Sequence, residues 1–133
     1  MKTFVIDTNV VVSSFLSANG SPHLLMSKMG ETYTAAYDNR IICEYLEVLS
    51  RPRFRIAKEC VNIFIVDLTG VDAIEPVHIS EELPDNDDRI FVEAALATPD
   101  KIIVTGNAKH YPKQLMKKLG VKILSPAEAL EIL

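Results

Sequence analysis

Hydrophobic positions along the chain alternate between short apolar runs and longer stretches with helical spacing. The short runs are typical of buried strands, and they lie at residues 3–6, 32–37, 101–105 and 122–124. A further run at residues 73–77 contains Pro76 and predicts a short or edge strand, because proline cannot donate to a sheet ladder. Strands separated by helices indicate an α/β domain with a mostly parallel sheet.

The helical stretches are bounded by capping residues and helix breakers. The clearest covers residues 39–49, where the apolar positions fall on one stripe and Pro52 stops the pattern. Ser21 is expected to cap a short helix that ends at Gly30, while Ser125 caps the last helix. These two helices cover residues 22–29 and the chain from Pro126 onward. The other predicted helices lie at residues 57–68, 86–97 and 111–119, and Gly120 ends the last of these.

Length and composition are those of a single domain. The chain has 133 residues, 48% hydrophobic and 24% charged, without an internal repeat or linker. Residues 1–133 are therefore expected to form one domain whose core needs no disulfide or structural metal. Cys43 and Cys60 lack metal-ligand spacing and are expected to be buried, reduced thiols.

The charge balance narrows the range of partners. Lys and Arg number 14 against 18 Asp and Glu, which gives a net charge of −4. This balance removes the simplest signature of a nucleic-acid binder, although a local basic strip can still contact phosphates. No apolar run is long enough to span a membrane and no signal-peptide pattern is present, so a cytoplasmic location without membrane association is expected.

Polar residues follow the first predicted strand directly. Asp7, Thr8 and Asn9 stand at its carboxyl end, the edge where parallel α/β sheets bind ligands. Helix capping is the alternative explanation for these three residues. An aspartyl-phosphate phosphatase would need a second Asp at position 9, and a dinucleotide fold would need a glycine-rich turn. Neither feature is present, so both classes are disfavoured.

Two further carboxylates stand at the boundary of buried helix faces. Glu44 borders the apolar stripe of its helix, whereas Glu47 lies on the opposite side. For Glu44 alone, an ordinary surface side chain is the stronger alternative. Asp88 begins the apolar stripe of a later helix, where an ionised carboxylate is costly unless a cation pairs with it. Capping and the helix dipole explain Asp85 and Asp87 well and Asp88 less well.

Thr105, Gly106 and Asn107 form a fourth polar group after a buried strand, for which a loop is the alternative explanation. Each of the four places is a weak signal alone. All four would meet at one edge of a parallel sheet if the predicted elements are correct. Their joint occurrence predicts a site at that edge.

Four segments carry these residues: FVIDTNV at residues 4–10, EYLEVLSRPRF at 44–54, residues 88–95, and VTGNAKHYP at 104–112. In this order they resemble the motifs of PIN-domain proteins, of the branch that contains the toxin components of toxin–antitoxin modules. The resemblance covers nearly the whole chain and implies a three-layer α/β/α fold with a central, mostly parallel sheet. It also implies a ribonuclease with RNA as substrate, a cognate antitoxin protein as partner, and a homodimer. The helix over residues 57–68 is either a dimer contact or part of the core.

Carried over by position, the resemblance assigns Asp7, Glu44 and Asp88 to catalysis and metal binding, with Asn107 at the fourth metal position. Oxygen ligands without Cys or His select Mg²⁺ or Mn²⁺. Such a cation would acidify a water and polarise the scissile phosphate. Many PIN domains carry an acid where this chain has Asn107, so a second metal position is expected to hold less charge. The polar residues expected to orient ligands or phosphate are Thr8, Asn9 and Thr105.

One basic strip offers a path for RNA on this acidic chain. Arg51, Arg53 and Arg55 stand close together with Phe54 among them. Contacts with phosphates and a solvated charged turn both explain this strip. The leading hypothesis is a Mg²⁺- or Mn²⁺-dependent endoribonuclease acting on single-stranded RNA. The alternative, which Asn107 keeps open, is a catalytically weak PIN fold that binds RNA or protein.

Overall fold

The computed structural model describes residues Met1–Leu133 and has a four-stranded, all-parallel sheet at its centre. The strands are β1 (Lys2–Ile6), β2 (Tyr33–Ala35), β3 (Ile102–Val104) and β4 (Lys122–Leu124). Their order across the sheet is β2-β1-β3-β4, so the first strand lies inside the sheet. Because all strands run in one direction, their carboxyl ends share one edge, as the sequence predicts.

Seven α-helices surround the sheet. They are α1 (Thr8–Leu16), α2 (Ser21–Ser27), α3 (Asn39–Leu49), α4 (Lys58–Leu68), α5 (Arg89–Leu96), α6 (Lys113–Leu119) and α7 (Pro126–Glu131). Helix α1 packs against α2 and α3, and α2 packs against α7. Helix α3 also packs against α4 and α5, while α5 packs against β1 and β3. This arrangement is the expected three-layer α/β/α fold. None of the helices combines the length and apolar character needed to cross a bilayer.

The apolar runs of the sequence form the core. Phe4, Val5, Ile103 and Val104 of the two central strands are fully buried. The stripe predicted on α3 buries Ile41, Tyr45 and Leu49 but leaves Leu46 exposed. Cys43 and Cys60 are exposed free thiols, so the prediction that they are buried is wrong.

Helix α1 and residues 73–77 differ from the sequence predictions. The sequence pattern did not predict α1, whose TNVVVSSFL stretch is rich in residues of modest helix propensity; packing of its buried valines on neighbouring elements forms it. Residues 73–77 form no strand. Their N–H groups at Ile74 and Val77 instead donate to the carbonyls of Tyr37 and Glu93. The segment is therefore fixed by isolated bonds rather than by a ladder.

Three helix beginnings also differ. Ser21 is the first residue of α2, and Gly20 occupies the cap position, so Ser21 does not cap the helix. The predicted helix over residues 86–97 begins with a 3₁₀ turn, Asn86–Asp88. The helix predicted from Tyr111 begins at Lys113, which leaves Tyr111 outside it. Ser125, by contrast, forms the predicted cap of α7 as part of a capping box.

A polar network that the sequence did not predict fixes the irregular segment before α5. Arg40 donates to Asp38 Oδ2 at 2.9 Å and to Glu93 Oε1 at 2.7 Å. Glu93 is buried and its Oε2 accepts from the Ile79 N–H at 2.9 Å. From α5, the Arg89 guanidinium donates to the Ile79 carbonyl at 2.7 Å. These bonds hold the chain that leads into the 3₁₀ turn containing Asp88.

Candidate active site

Asp7 lies at the carboxyl end of β1 and points into the protein. Its N–H donates to the Val104 carbonyl at 2.9 Å, which ties it to β3. Its side chain does not cap α1. Instead Oδ2 accepts from Thr105 Oγ1 at 2.9 Å and from the Tyr111 hydroxyl at 3.0 Å. Both bonds go to one oxygen, so Oδ1 remains for another partner, and capping does not explain Asp7.

Glu44 approaches the same place from α3. It is half-buried, and its Oε2 accepts from Thr8 Oγ1 at 2.8 Å, which links α3 to the start of α1. Glu47, one turn further along, is exposed and bonds to Arg51 at 2.8 Å. The helical phase therefore separates the two glutamates as the sequence predicts.

Asp88 ends the 3₁₀ turn that precedes α5. It is buried, and its Oδ2 has no hydrogen-bond partner. Burial and, to a smaller extent, the nearby charge of Asp7 together raise the pKa of Asp88 to about 6. Asp85 behaves differently, because its side chain caps the turn by accepting from the Asp87 N–H at 2.9 Å. Among these acids, Asp88 alone has a buried oxygen that lacks a donor.

The three predicted acids line one cleft of about 430 Å³. The charge of Asp7 acts on Asp88 as a repulsion between two anions, which a divalent cation relieves. The other charged or polar residues that line the cleft are Thr8, Asn9, Ser13, Arg51, Asp85, Asp87 and His110. The ligand atoms that lie within 4.8 Å of one another in this cleft are those of Asp85, Asp88 and His110, so Asp88 is the predicted acid beside which a hard cation fits.

Thr105 and Asn9 lie behind the Asp7 carboxylate and orient it. Thr105 Oγ1 donates to Asp7 and accepts from Asn9 Nδ2 at 3.3 Å and from the Asn107 N–H at 3.0 Å. Asn9 Oδ1 in turn accepts from the Gly106 N–H at 2.9 Å. A Cβ at Gly106 would lie 3.2 Å from this oxygen, so the close approach favours glycine.

The side chain of Asn107 is not among those that line the cleft. Its Nδ2 lies 2.8 Å from His110 Nε2. His110 lines the cleft instead, with Nδ1 at 3.5 Å from Asp88 Oδ2. At the fourth predicted position, His110 therefore lies beside Asp88, while the Asn107 side chain contacts the histidine.

The predicted basic strip reaches the cleft only in part. Arg51 lines the cleft and is exposed, while its guanidinium bonds to Glu47. The Arg53 guanidinium lies over the Phe54 ring, 4.8 Å from its centroid, and Phe54 itself lines the cleft. Arg55 adopts the left-handed conformation with φ of 53° and does not line the cleft.

Sequence reasoning missed Tyr111 and His110 as site residues. Tyr111 is buried, and its hydroxyl pKa is raised well above the usual value by burial and by the charge of Asp7, so it stays a donor. Pro112 is the available signal, since a helix starting after it leaves Tyr111 free to turn inward. For His110 the available signal is its position three residues after Asn107, since a single helical turn brings residues with this spacing side by side.

The family comparison agrees with this geometry. The family model of the PIN domain matches residues 3–109, more than half of the chain. The chain belongs to the PIN domain family. PIN domains are generally nucleases with metal-binding acidic residues, and the acidic cleft is consistent with that class. No curated protein and no solved structure gives a significant match.

The PIN domain match includes all four acid or amide positions but ends just before His110 and Tyr111. Replacing Tyr111 with phenylalanine is expected to lower the free energy of unfolding by about 1 to 2 kcal/mol, because Asp7 Oδ2 loses one of its two donors. Urea denaturation measures this change. Mn²⁺ affinity should also fall several-fold, since Asp7 is less well held.

Tyr37→Phe is the matched control for Tyr111→Phe. Its hydroxyl donates to the Val71 carbonyl, and Tyr37 does not line the cleft. Tyr37→Phe should lower stability by a similar amount without altering Mn²⁺ affinity. Equal Mn²⁺ affinity in both variants would contradict a role for Tyr111 in orienting Asp7.

Proposed function

We propose that this PIN domain hydrolyses phosphodiester bonds of single-stranded RNA with Mg²⁺ or Mn²⁺ and acts as the toxin of a toxin–antitoxin pair. One observation carries the proposal: the buried Asp88 Oδ2 has no donor and belongs to the same cleft as Asp7 and Glu44. A buried ionised carboxylate needs a cation, and no Lys or Arg pairs with Asp88.

The residues present fit a divalent cation. Asp7 Oδ1 and Asp88 Oδ2 lack hydrogen-bond donors, so both are available as ligands. Carboxylate oxygens select Mg²⁺ or Mn²⁺, and either ion would neutralise charge on the scissile phosphate and acidify a water. Asp7 and Asp88 would hold the ion directly.

Other residues of the chain would accept the proton, orient the Asp7 carboxylate and contact a phosphate. Glu44 keeps one carboxylate oxygen on Thr8, which leaves the other to accept a proton from the attacking water or to hold water on the ion. Thr105 and Tyr111 fix the Asp7 carboxylate from behind. Arg51 at the rim is placed to contact a neighbouring phosphate. In-line attack by that water would form a new bond from its oxygen to phosphorus and break the bond from phosphorus to the ribose 3′-oxygen, which leaves as a hydroxyl after taking a proton from solvent.

The alternative is a PIN fold that binds RNA or protein without useful catalysis. Asn107 favours it, because an amide brings less negative charge than the acid common at this position. The test incubates purified protein with single-stranded RNA, with single-stranded DNA and with a small phosphate ester, in Mg²⁺, Mn²⁺ or EDTA. Cleavage of RNA that EDTA abolishes supports the proposal. Binding of RNA without turnover in either metal supports the alternative.

The toxin role and its antitoxin partner rest on the resemblance of the motifs. Induced expression of the wild-type chain is expected to arrest bacterial growth, whereas Asp7→Asn should not. Normal growth with active, well-expressed protein would contradict a toxin role.

For the proposed homodimer, α4 offers an exposed apolar face at Ile63 and Val66, which are 63% and 68% exposed. Light scattering of an Ile63→Lys variant tests that contact.

The basic strip gives a separate prediction about RNA binding. If Arg51, Arg53 and Arg55 each contact a phosphate, replacing all three with alanine should reduce the salt slope of RNA affinity by about 2 units, since each contact on single strands contributes about 0.7. RNA affinity is measured against salt concentration, with Asp7→Asn in both proteins to prevent cleavage. A slope equal to that of the parent would exclude the strip and direct attention to Lys109, Lys113 and Lys117.

A further inference from the structure

A histidine stands where the proposed metal site lacks a fourth acid. Asp85, Asp88 and His110 each bring one ligand atom to within 4.8 Å of the others. His110 Nδ1 lies 3.5 Å from Asp88 Oδ2, the buried oxygen that has no hydrogen-bond partner. This separation is too long for a hydrogen bond. The imidazole nitrogen and the carboxylate oxygen therefore lie close enough for one metal ion to contact both atoms, without being bonded to each other.

Asn107 is placed to orient His110. Its amide lies 2.8 Å from His110 Nε2. Turning that amide by half a revolution presents Oδ1 to an Nε2–H group. Metal-binding histidines usually donate their other ring N–H to such an oxygen, which fixes the tautomer. Asn107 can thus keep Nε2 protonated and leave the Nδ1 lone pair directed toward Asp88.

We propose that His110 is a metal ligand through Nδ1 at a second position, which shares Asp88 with the position beside Asp7, adds Asp85, and favours Mn²⁺ over Mg²⁺ because it mixes nitrogen and oxygen ligands. The proposal rests on the proposed function, because it concerns the same cleft. Mg²⁺ keeps to oxygen ligands and gives up water reluctantly, whereas Mn²⁺ accepts an imidazole nitrogen more readily. Asn107 is then a positioning residue, not a ligand.

A second histidine–carboxylate pair shows what distinguishes this site. His78 Nδ1 lies 3.6 Å from Glu93 Oε1, almost the same spacing. Glu93, however, accepts from Arg40 at 2.7 Å and from the Ile79 N–H at 2.9 Å, so its charge is already compensated. Asp88 Oδ2 has no such donor. His78 therefore serves as a matched control without a metal site.

The test is Mn²⁺ binding by the whole chain, measured by calorimetry, with electron paramagnetic resonance to detect nitrogen hyperfine coupling. Wild-type protein should show nitrogen coupling and bind Mn²⁺ more tightly than Mg²⁺. His110→Ala should lose the coupling and weaken Mn²⁺ binding by about 10-fold or more, with little change for Mg²⁺. His78→Ala should match the wild type in both measurements.

The side chain of His110 is 45% exposed, so removing it spares the core, and circular dichroism confirms folding. His110→Gln is the second variant and should also lack nitrogen coupling. Asn107→Ala should weaken Mn²⁺ binding less than His110→Ala, and Asn107→Asp should restore it. Mn²⁺ bound without nitrogen coupling, or with equal affinity in His110→Ala, overturns the proposal.

RNA cleavage is scored separately from metal binding. Nitrogen-coupled Mn²⁺ in a protein that does not cleave RNA would refute the proposed function and keep His110 as a ligand. RNA cleavage by a protein whose Mn²⁺ shows only oxygen coordination would support the proposed function and refute His110 as a ligand. The two failures are therefore distinguishable in one set of samples.

Discussion

Replacing Asp7 with asparagine is expected to lower metal-dependent RNA cleavage by about two to three orders of magnitude while preserving the fold. Asparagine keeps the shape and can still accept from Thr105 and Tyr111, but it removes the negative charge that a cation requires. Cleavage is measured as single-turnover rates in Mg²⁺ and in Mn²⁺, and folding by thermal denaturation. Unchanged rates in carefully purified protein would contradict the assignment of Asp7.

The two glutamates of α3 provide the matched control for this experiment. Glu44→Gln should also lower cleavage strongly, because the half-buried Glu44 carboxylate keeps one oxygen on Thr8 and presents the other to the cleft as the proposed base. Glu47→Gln should leave cleavage unchanged, since Glu47 is exposed and loses only its surface ion pair with Arg51, which solvent screens. If both variants lose activity equally, the phase of α3 does not explain the site.

The positions of Asp7 and Asp88 were predictable because each signal was local. Asp7 directly follows an apolar run, and Asp88 begins an apolar stripe, so each position relative to a buried element was visible in the sequence. The parallel sheet then brings such positions to one edge. Helical phase places Glu44 only at the border of the apolar stripe, where a surface side chain is the stronger alternative, so its assignment to the site came from the resemblance to PIN-domain motifs. Asp7 and Asp88 needed only their positions next to apolar segments and the topology of α/β folds.

The surroundings of those acids were not predictable, because they depend on contacts distant in sequence. The donors to Asp7 Oδ2 come from Thr105 and Tyr111, 98 and 104 residues away. The bond between Arg40 and Glu93 spans 53 residues. No periodicity indicates which polar side chain will pair across such a distance. Helix α1 was missed for a related reason, since tertiary packing outweighs its modest intrinsic propensity.

Replacing Asp88 with asparagine is expected to abolish cleavage and at the same time stabilise the metal-free protein. Burial raises the pKa of Asp88 to about 6, from an ordinary value of 3.8. A raised pKa means that the folded state binds the proton of Asp88 more tightly than the unfolded state does. The stability that this proton contributes is present below about pH 4 and is lost as pH rises through about 6. Asparagine remains neutral throughout and avoids that loss.

The expected gain for Asp88→Asn is about 1 kcal/mol at about pH 7.5 in EDTA, because solvent in the open cleft screens part of the charge. The difference in unfolding free energy between variant and wild type should shrink toward about pH 4. Asp87→Asn is the control, since Asp87 lies at the same turn and lines the same cleft, but it is exposed and has no buried oxygen without a partner; it should retain activity. Urea denaturation across this pH range measures all three proteins.

Divalent metal should reverse this order of stability. Adding Mn²⁺ at about pH 7.5 is expected to stabilise wild-type protein, because ionised Asp88 then has a cation partner and binding favours the folded state. Asp88→Asn should gain much less. If Asp88→Asn is instead less stable than wild type in EDTA at this pH, groups of the protein already compensate the charge of the buried carboxylate, and no metal is needed for that. The site would then carry a structural acid, and the case for a cation between Asp7 and Asp88 would fail.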